Sequence, residues 1–538
     1  MNEKEFLSLP LKQKIGQTAI VRVRDDNPEM GDEFEKYYED YGYGALFIGS
    51  EIIRDNKKGR EDIRRRCVEF RNRKGIPPLF CGDAEAGFRN IVSGENNFPD
   101  QMALGAANDK NLAYDFGKAN ALECLSCGVN WSFSPVADLN INPLNPIVNN
   151  RAVSDDVERA LPILEDIVCG MEENGLRATI KHFPGDGVDY RDQHFVKTAN
   201  TLSKEEWFNS YGRIYKRLFE CGADTVMAGH ICLPWYQGKD MFGDLPATLS
   251  YELLENLLRK ELGFDGVIVS DALEMGAYEQ EYCDREKSEI ESFKAGIDML
   301  LWPSKNYFKN LENAILSGEI SEERLNQSLK RIYRLKKKSG CFEESYKKLP
   351  ILSESEKDFC DKTGELCGKK GISLVRDRNG LFSDGRNFKN IVIVSESVNE
   401  KGYRSLARLK DVFEKRGCCV NYFENGVDKY WRPKLNKEII ASADLVILAF
   451  YVRPHEPLGF LDFPDKELVG VSKIVNLPTD KTVSVSFGSP YVHKLYCEKI
   501  PACINAYSDC IYSLKGFADA ILGKEKFADS PVKVFVYE

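Results

Sequence analysis

Histidine is scarce in this sequence, with 5 in 538 residues. There is no HExxH run and no Cys/His ladder at zinc spacing, so no metal site is expected. His182, His194 and His230 come from separate elements, and a zinc site built from those three stays open as the alternative. A Walker loop is missing too. Gly42-x-Gly44 lacks the third glycine of a dinucleotide fingerprint, so no cofactor is expected. No stretch approaches the ~18 consecutive apolar residues of a membrane span. The charged start Met1-Asn2-Glu3-Lys4-Glu5 carries no apolar leader, and the expected compartment is the cytoplasm, with no membrane partner. A basic stripe is lacking as well. The net charge is -10 and the pI is near 5.4, which argues against nucleic acid as a partner. Arg64-Arg65-Arg66 and Lys336-Lys337-Lys338 are short, sit among acids and read as solvated helix faces.

Cysteine is not lacking. Without an export signal, 16 of them imply reduced thiols rather than disulfides. Cys124-x-x-Cys127 has metal or redox spacing, but no second such pair exists, and the two read as buried structural thiols.

A chain of 538 residues exceeds one ordinary core. Eight short apolar or β-branched runs mark its first 300 positions: Thr18–Val23, Ala45–Ile48, Pro78–Gly82, Val129–Val136, Thr179–Phe183, Thr225–Gly229, Gly266–Ser270 and Asp298–Leu301. Amphipathic stretches long enough for a helix separate most of them. Tyr251–Leu262 puts five leucines on one face behind Ser250, and Ser203-Lys204-Glu205-Glu206 has capping-box spacing. Eight alternating units predict a (β/α)8 barrel. Charged helices follow, from about Asn310 to Lys338, with Ser321 capping one. New strand-like runs then appear at Ile391–Val394, Val420–Phe423, Leu445–Phe450, Thr482–Phe487 and Ala502–Tyr507. They predict a second, smaller, doubly wound α/β sandwich domain. The expected division is 1–345 for the barrel and its trailing helices, 346–385 for a linker with the first helix and strand of the second domain, and 386–538 for the rest.

Barrel chemistry sits where strands end. Asp83, Asp138, Lys181-His182, His230 and Asp271 all fall there. Gly266-Val267-Ile268-Val269-Ser270-Asp271 ends an apolar strand in a carboxylate. Such a group suits a nucleophile or the stabiliser of a cation, and equally a helix N-cap. Lys181-His182-Phe183-Pro184-Gly185-Asp186-Gly187 leads to Asp192-Gln193-His194. In an extended loop, positions two apart face the same way, so Asp192 can fix the His194 tautomer and make it a better proton donor near neutral pH. That serves general acid–base work, the alternative being a polar surface loop. Gly185 and Gly187 suggest a mobile loop that must bend sharply.

Several motifs appear in order along the chain: Asp83-Ala84-Glu85-Ala86-Gly87, Phe98-Pro99 with Met102-Ala103-Leu104-Gly105-Ala106, Asn130 to Asp138 with Asn142-Pro143 and Arg151, Lys181 to Gly185 with Asp192-x-His194, Met227-Ala228-Gly229-His230, and Pro246 to Ser250 leading to Ser270-Asp271. Together they resemble glycoside hydrolase family 3, and within it the β-N-acetylglucosaminidases. The resemblance implies that Asp271 is the nucleophile and His194, with Asp192, the acid/base. It also implies that Asp83, Arg151, Lys181 and His182 hold the sugar, with Met227 and His230 beside them. The expected partner is a small carbohydrate with a terminal β-linked N-acetylhexosamine, hydrolysed with retention. Two positions depart from the family pattern. Asp186 stands where a second histidine is frequent. Phe88 stands where an arginine is frequent, with Arg89 one later. The second domain is expected to be mostly structural. A phosphorolytic enzyme, a β-glucosidase or β-xylosidase, and a sugar-binding barrel without catalysis are the rival expectations.

Overall fold

The computed structural model describes residues 1–23, 30–49, 59–88, 91, 98–239, 243–383, 387–426, 434, 437–453 and 477–535. Arg89 lies outside them. The chain divides into two compact units: Met1–Glu95 with Gly117–Asp138 and Leu164–Cys360, and Asn96–Phe116 with Leu139–Ile163 and Asp361–Glu538.

The first unit is an eight-stranded parallel barrel. Its strands are β1 (Ala19–Arg22), β2 (Ala45–Phe47), β3 (Leu79–Gly82), β4 (Trp131–Ser132), β5 (Arg177–Phe183), β6 (Thr225–Ala228), β7 (Val267–Ser270) and β8 (Leu300–Leu301). From β1 to β7 each pairs in parallel with the next, and β8 pairs with β1 at Ala19–Leu300. A parallel bridge between Val269 and Met299 joins β7 to the entry of β8 and closes the ring. Every strand lies within one of the eight apolar runs read from the sequence, apart from the first two residues of β5. All eight are buried along their length, as parallel strands covered on both faces must be.

Helices cap as the sequence indicates. Ser203 and Glu206 form a reciprocal capping box, and Ser321 accepts the Arg324 N–H. Glu252–Glu261 buries Leu253, Leu254, Leu257 and Leu258 but winds as a π-helix, which periodicity alone does not signal. The Lys336-Lys337-Lys338 expectation needs correction at its first residue. Lys336 is fully buried on the inward face of Glu322–Lys338, its Nζ donates to Pro77 O at 2.8 Å, and burial pushes its pKa down to about 8. Cys124 and Cys127 are buried thiols, both raised by burial, and all sixteen cysteines are free.

At the start of β8, Asp298 is fully buried and gathers charge. Its Oδ2 accepts Arg259 Nη2 at 2.7 Å and Ile268 N at 3.0 Å, while Oδ1 accepts Ser328 Oγ at 2.6 Å and Arg331 Nη1 at 3.2 Å. Burial pushes this carboxyl up, but Arg259, Arg331 and Arg324 outweigh it and hold it below the usual range. Removing a buried counter-ion strands the arginines, so Asp298→Ala is expected to cost about 3–5 kcal/mol. Urea unfolding measures it, and a loss under ~1 kcal/mol would contradict this role. The folded-state value lies below the unfolded one. The contribution is therefore fully present above the ordinary value of ~3.9 and is lost as pH falls through the lowered one.

The second unit holds a six-stranded sheet: β9 (Ser373–Asp377), β10 (Asn390–Ser397), β11 (Cys419–Glu424), β12 (Leu445–Tyr451), β13 (Thr482–Ser486) and β14 (Ala502–Asn505), in the order β9-β14-β13-β12-β10-β11. Five strands are parallel, and β9 joins β14 antiparallel. Alternation gives the sheet two apolar faces. Ile391, Ile393, Leu445 and Ile447 pack on one, and Val392, Val394, Val446 and Leu448 on the other. A doubly wound sheet is the expected form; the antiparallel edge strand is the addition.

Candidate active site

Chemistry gathers at the C-terminal ends of the barrel strands. After β3, Asp83 and Glu85 both reach Lys181 of β5: Lys181 Nζ lies 2.8 Å from Asp83 Oδ1 and 2.6 Å from Glu85 Oε1. The ammonium is buried, and two carboxylates make that burial tolerable. Asp83 keeps 39% of its side chain exposed, enough to accept hydroxyls from a ligand.

Asp138, fully buried beyond β4, organises the end of β5. Its Oδ2 accepts His182 Nδ1 at 2.7 Å, and its Oδ1 accepts His182 N at 3.1 Å and Asp186 N at 2.8 Å. A carboxylate oxygen only accepts, so His182 Nδ1 carries the proton and Nε2 is the atom left for a ligand. The Lys181–His182 and Phe183–Pro184 peptides are cis.

The chain then turns sharply at Gly185. Its φ is +118°, and a Cβ there would lie 2.3 Å from the Tyr211 ring, so no other residue fits. The loop that follows is tied at many points. Asn200 Nδ2 donates to Gly185 O at 3.0 Å, and Trp207 Nε1 to Pro184 O at 2.8 Å. Asp189 accepts Arg191 Nε at 2.9 Å and Ala199 N at 3.0 Å, and these bonds hold its carboxyl below the usual range against the upward push of burial. At the loop's far end, His194 Nδ1 lies 2.7 Å from Asp192 Oδ1, which also accepts His194 N at 2.8 Å. Asp192 is buried and His194 half-buried, with 16% of its side chain exposed. A carboxylate oxygen only accepts, so the proton between the two sits on Nδ1.

This loop rests on the segment that carries Asp271. His194 O accepts Gly276 N at 2.8 Å, and Phe195 O accepts Gln280 Nε2 at 2.9 Å. A Cβ on Gly276 would stand 2.6 Å from Phe195 O, so the close approach requires glycine. Asp271 is positioned by its own N–H to Ala228 O at 2.9 Å, across from β6. Ala272 N donates to Asp271 Oδ1 at 2.8 Å. Burial pushes Asp271 up, but His182, His230, the Ala272 N–H and Lys181 together hold it below the usual carboxylate range. Three residues on, Glu274 takes a two-point grip from Arg22 at the end of β1 (2.9 and 2.6 Å), and the guanidinium stacks 3.4 Å from the Trp302 ring beyond β8. The strand-end turn is thus pinned on both flanks.

His230, beyond β6, is fully buried. Its Nε2 lies 3.0 Å from Ala272 O and its Nδ1 2.9 Å from Thr248 Oγ1. A carbonyl accepts only, so Nε2 donates and Nδ1 accepts the threonine hydroxyl. Burial pushes this imidazole down, Asp271 opposes, and His194 and His182 lower it further, so it stays neutral near pH 7. The ring thus lies within electrostatic reach of Asp271, His194 and His182.

Of the residues singled out from the sequence, Asp83, Lys181, His182, Asp192, His194, His230 and Asp271 all come to this end of the barrel. Met227 lies within β6, 2% exposed and in register with Val269. Arg151 belongs to the second unit, in the turn Asn149–Arg151, where Gln101 Nε2 donates to its carbonyl at 2.6 Å. Phe88 is buried beneath the Arg60 guanidinium, 4.9 Å from its ring. Among the described residues, no group of three or more His, Cys, Asp or Glu is arranged to hold a metal ion, and no helix is long and apolar enough to cross a membrane. Sequence reasoning placed Asp138 at a strand end and marked Asp186 as a departure, but it gave Glu85, Gln193 and Thr248 no part in building the site. Glu85 had a signal, since it stands two positions from Asp83 and so shares its side of an extended segment.

Residues 10–335 match the model of the glycosyl hydrolase family 3 N terminal domain. Over 97% of its length the chain is 28% identical to a β-N-acetylglucosaminidase/β-glucosidase of Cellulomonas fimi, of which it covers 93%. Over 48% of its length it is 30% identical to a β-hexosaminidase of Psychromonas ingrahamii, 75% of which is covered. Among solved structures, the β-glucoside phosphorylase BglX is 28% identical with a TM-score of 0.82, the match covering 99% of this chain and 95% of that one. A β-N-acetylglucosaminidase from Paenibacillus sp. str. FPU-7 shares the fold, at 24% identity and a TM-score of 0.81, with 99% and 100% covered.

Proposed function

Since the chain belongs to glycosyl hydrolase family 3, we propose that it is a retaining, exo-acting β-N-acetylglucosaminidase whose nucleophile is Asp271 and whose acid/base is His194. The observation that carries this reading is the His194–Asp192 pair, 2.7 Å apart, on a loop whose own carbonyl is bonded to Gly276, five residues past Asp271. In the first step Asp271 Oδ2 attacks the anomeric carbon, the glycosidic C–O bond breaks, and the His194 Nε2 proton passes to the departing oxygen. In the second, a water attacks the same carbon, His194 Nε2 takes its proton, and the bond to Asp271 breaks. The low-lying Asp271 carboxyl is ionised at neutral pH, as a nucleophile requires. Lys181, His182 Nε2 and Asp83 supply donors and acceptors for sugar hydroxyls. For Arg151 and Met227 the family resemblance alone supports a sugar contact. A cytoplasmic setting is the one that sixteen free thiols support.

A second reading has a specific observation behind it, the likeness to a β-glucoside phosphorylase along 99% of the chain. After donating its proton, His194 is neutral, so an incoming phosphate meets an imidazole rather than a carboxylate at the point of attack.

A panel of aryl glycosides, assayed with and without inorganic phosphate, separates these readings. The N-acetyl-β-glucosaminide is expected to exceed the β-glucoside in kcat/KM by at least about tenfold, as a site that bonds the acetamido group demands. Equal or faster turnover of the glucoside would replace the substrate assignment, and sugar 1-phosphate appearing with phosphate would make the enzyme a phosphorylase.

A further inference from the structure

Gln193 stands between the two members of the proposed acid/base pair and faces the other way. It is 1% exposed. Its Nε2 donates to Asp186 Oδ2 at 3.1 Å, and its Oε1 accepts His230 N at 3.1 Å. The amide's orientation is settled by chemistry, because a carboxylate only accepts and a backbone N–H only donates. Each end of this link is anchored in turn. Asp186 Oδ1 accepts Gly187 N at 2.6 Å, and Asp186 N donates to Asp138 Oδ1 at 2.8 Å. His230 bonds to Ala272 O, next to Asp271. One side chain therefore bridges the root of the loop on β5 and the β6–β7 side, where the nucleophile sits.

We propose that Gln193 is a positioning residue that sets where the His194 proton is delivered, and that Asp186, at the position of the family's frequent histidine, is its obligatory partner. Asp192 fixes the imidazole's tautomer; Gln193 fixes the backbone from which both hang. The inference rests on His194 being the acid/base, so the test includes a control on that reading. The titratable groups around the amide are Asp186 and His230, with Asp192 and His194 on either side in the chain, Asp138 and Tyr211 bonded to Asp186, and Tyr215 within electrostatic reach of it.

The experiment compares aryl glycosides of one sugar with poor and with activated leaving groups, across pH. Gln193→Ala is expected to lower kcat/KM about 10- to 100-fold on the poor leaving group, the scale of an ångström-size misplacement, and by far less on the activated one. Gln193→Glu sets two carboxylates against each other, and they repel unless they share a proton. It is expected to match Gln193→Ala above neutral pH and to recover as pH falls. Asp186→Asn combined with Gln193→Glu exchanges amide and acid while keeping the donors and acceptors of the bridge to Gly187 N and His230 N, and is expected to restore the poor-leaving-group rate at all pH values. If the exchanged pair does no better than Gln193→Glu, or if Gln193→Ala loses both substrates equally while His194→Ala keeps its bias, the inference is overturned. Equal losses in His194→Ala itself would instead overturn the acid/base reading beneath it.

Discussion

Asp271→Ala is expected to lower kcat on an aryl N-acetyl-β-glucosaminide by at least about 10⁴-fold, with KM changed far less. The effect should be this large because nothing nearby can take over. Asp138 is fully buried with its oxygens committed to His182 and Asp186, and Asp83 and Glu85 are held by Lys181. The turn should survive the change, since Arg22 still grips Glu274 and Gly276 still bonds His194 O. Steady-state kinetics with a thermal melt beside them checks both parts. The acid side of the wild-type pH–rate profile is expected to report the same group. His182, His230 and Lys181 hold Asp271 below the ordinary carboxylate value, so the nucleophile stays ionised as pH falls to ~4, and activity should decline only below that.

His194→Ala is expected to lower the rate on poor leaving groups by about 10²–10⁴-fold, the usual worth of a positioned proton donor. Nitrophenolate and its like depart without protonation, so the first step survives with them. The second step still lacks its base, and a glycosyl-enzyme should accumulate, lowering kcat and KM together. Azide needs no base and should restore turnover on the activated substrate. The alkaline limb is expected to report this imidazole. In the wild type the rate is expected to fall as pH rises and this imidazole loses its proton, and that limb should disappear in the variant.

Much of this was legible in the residues themselves. The barrel strands were visible because each is a buried parallel strand and so a continuous apolar run ending in a polar residue. The loop from Lys181 to His194 announced itself by density of titratable groups and by Gly185. Other features had no local signature. The antiparallel sense of β9 depends on a partner, β14, some 130 positions away. Segments 96–116 and 139–163 group with the C-terminal unit, although in sequence they lie among the barrel strands. Lys336 looks like its two neighbours, and only helix phase puts it inward. Asp138 and Gln193 act through long-range bonds, 44 and 37 positions apart, that no spacing reveals.

The central claim is that Asp271 becomes covalently glycosylated. A fluorinated glycosyl inactivator that slows the second step, followed by peptide mass mapping, tests it directly. One sugar per chain, on the peptide bearing Asp271 and absent from Asp271→Ala, is the result this account predicts. A sugar carried instead by Asp83, Glu85 or Asp138 would contradict it.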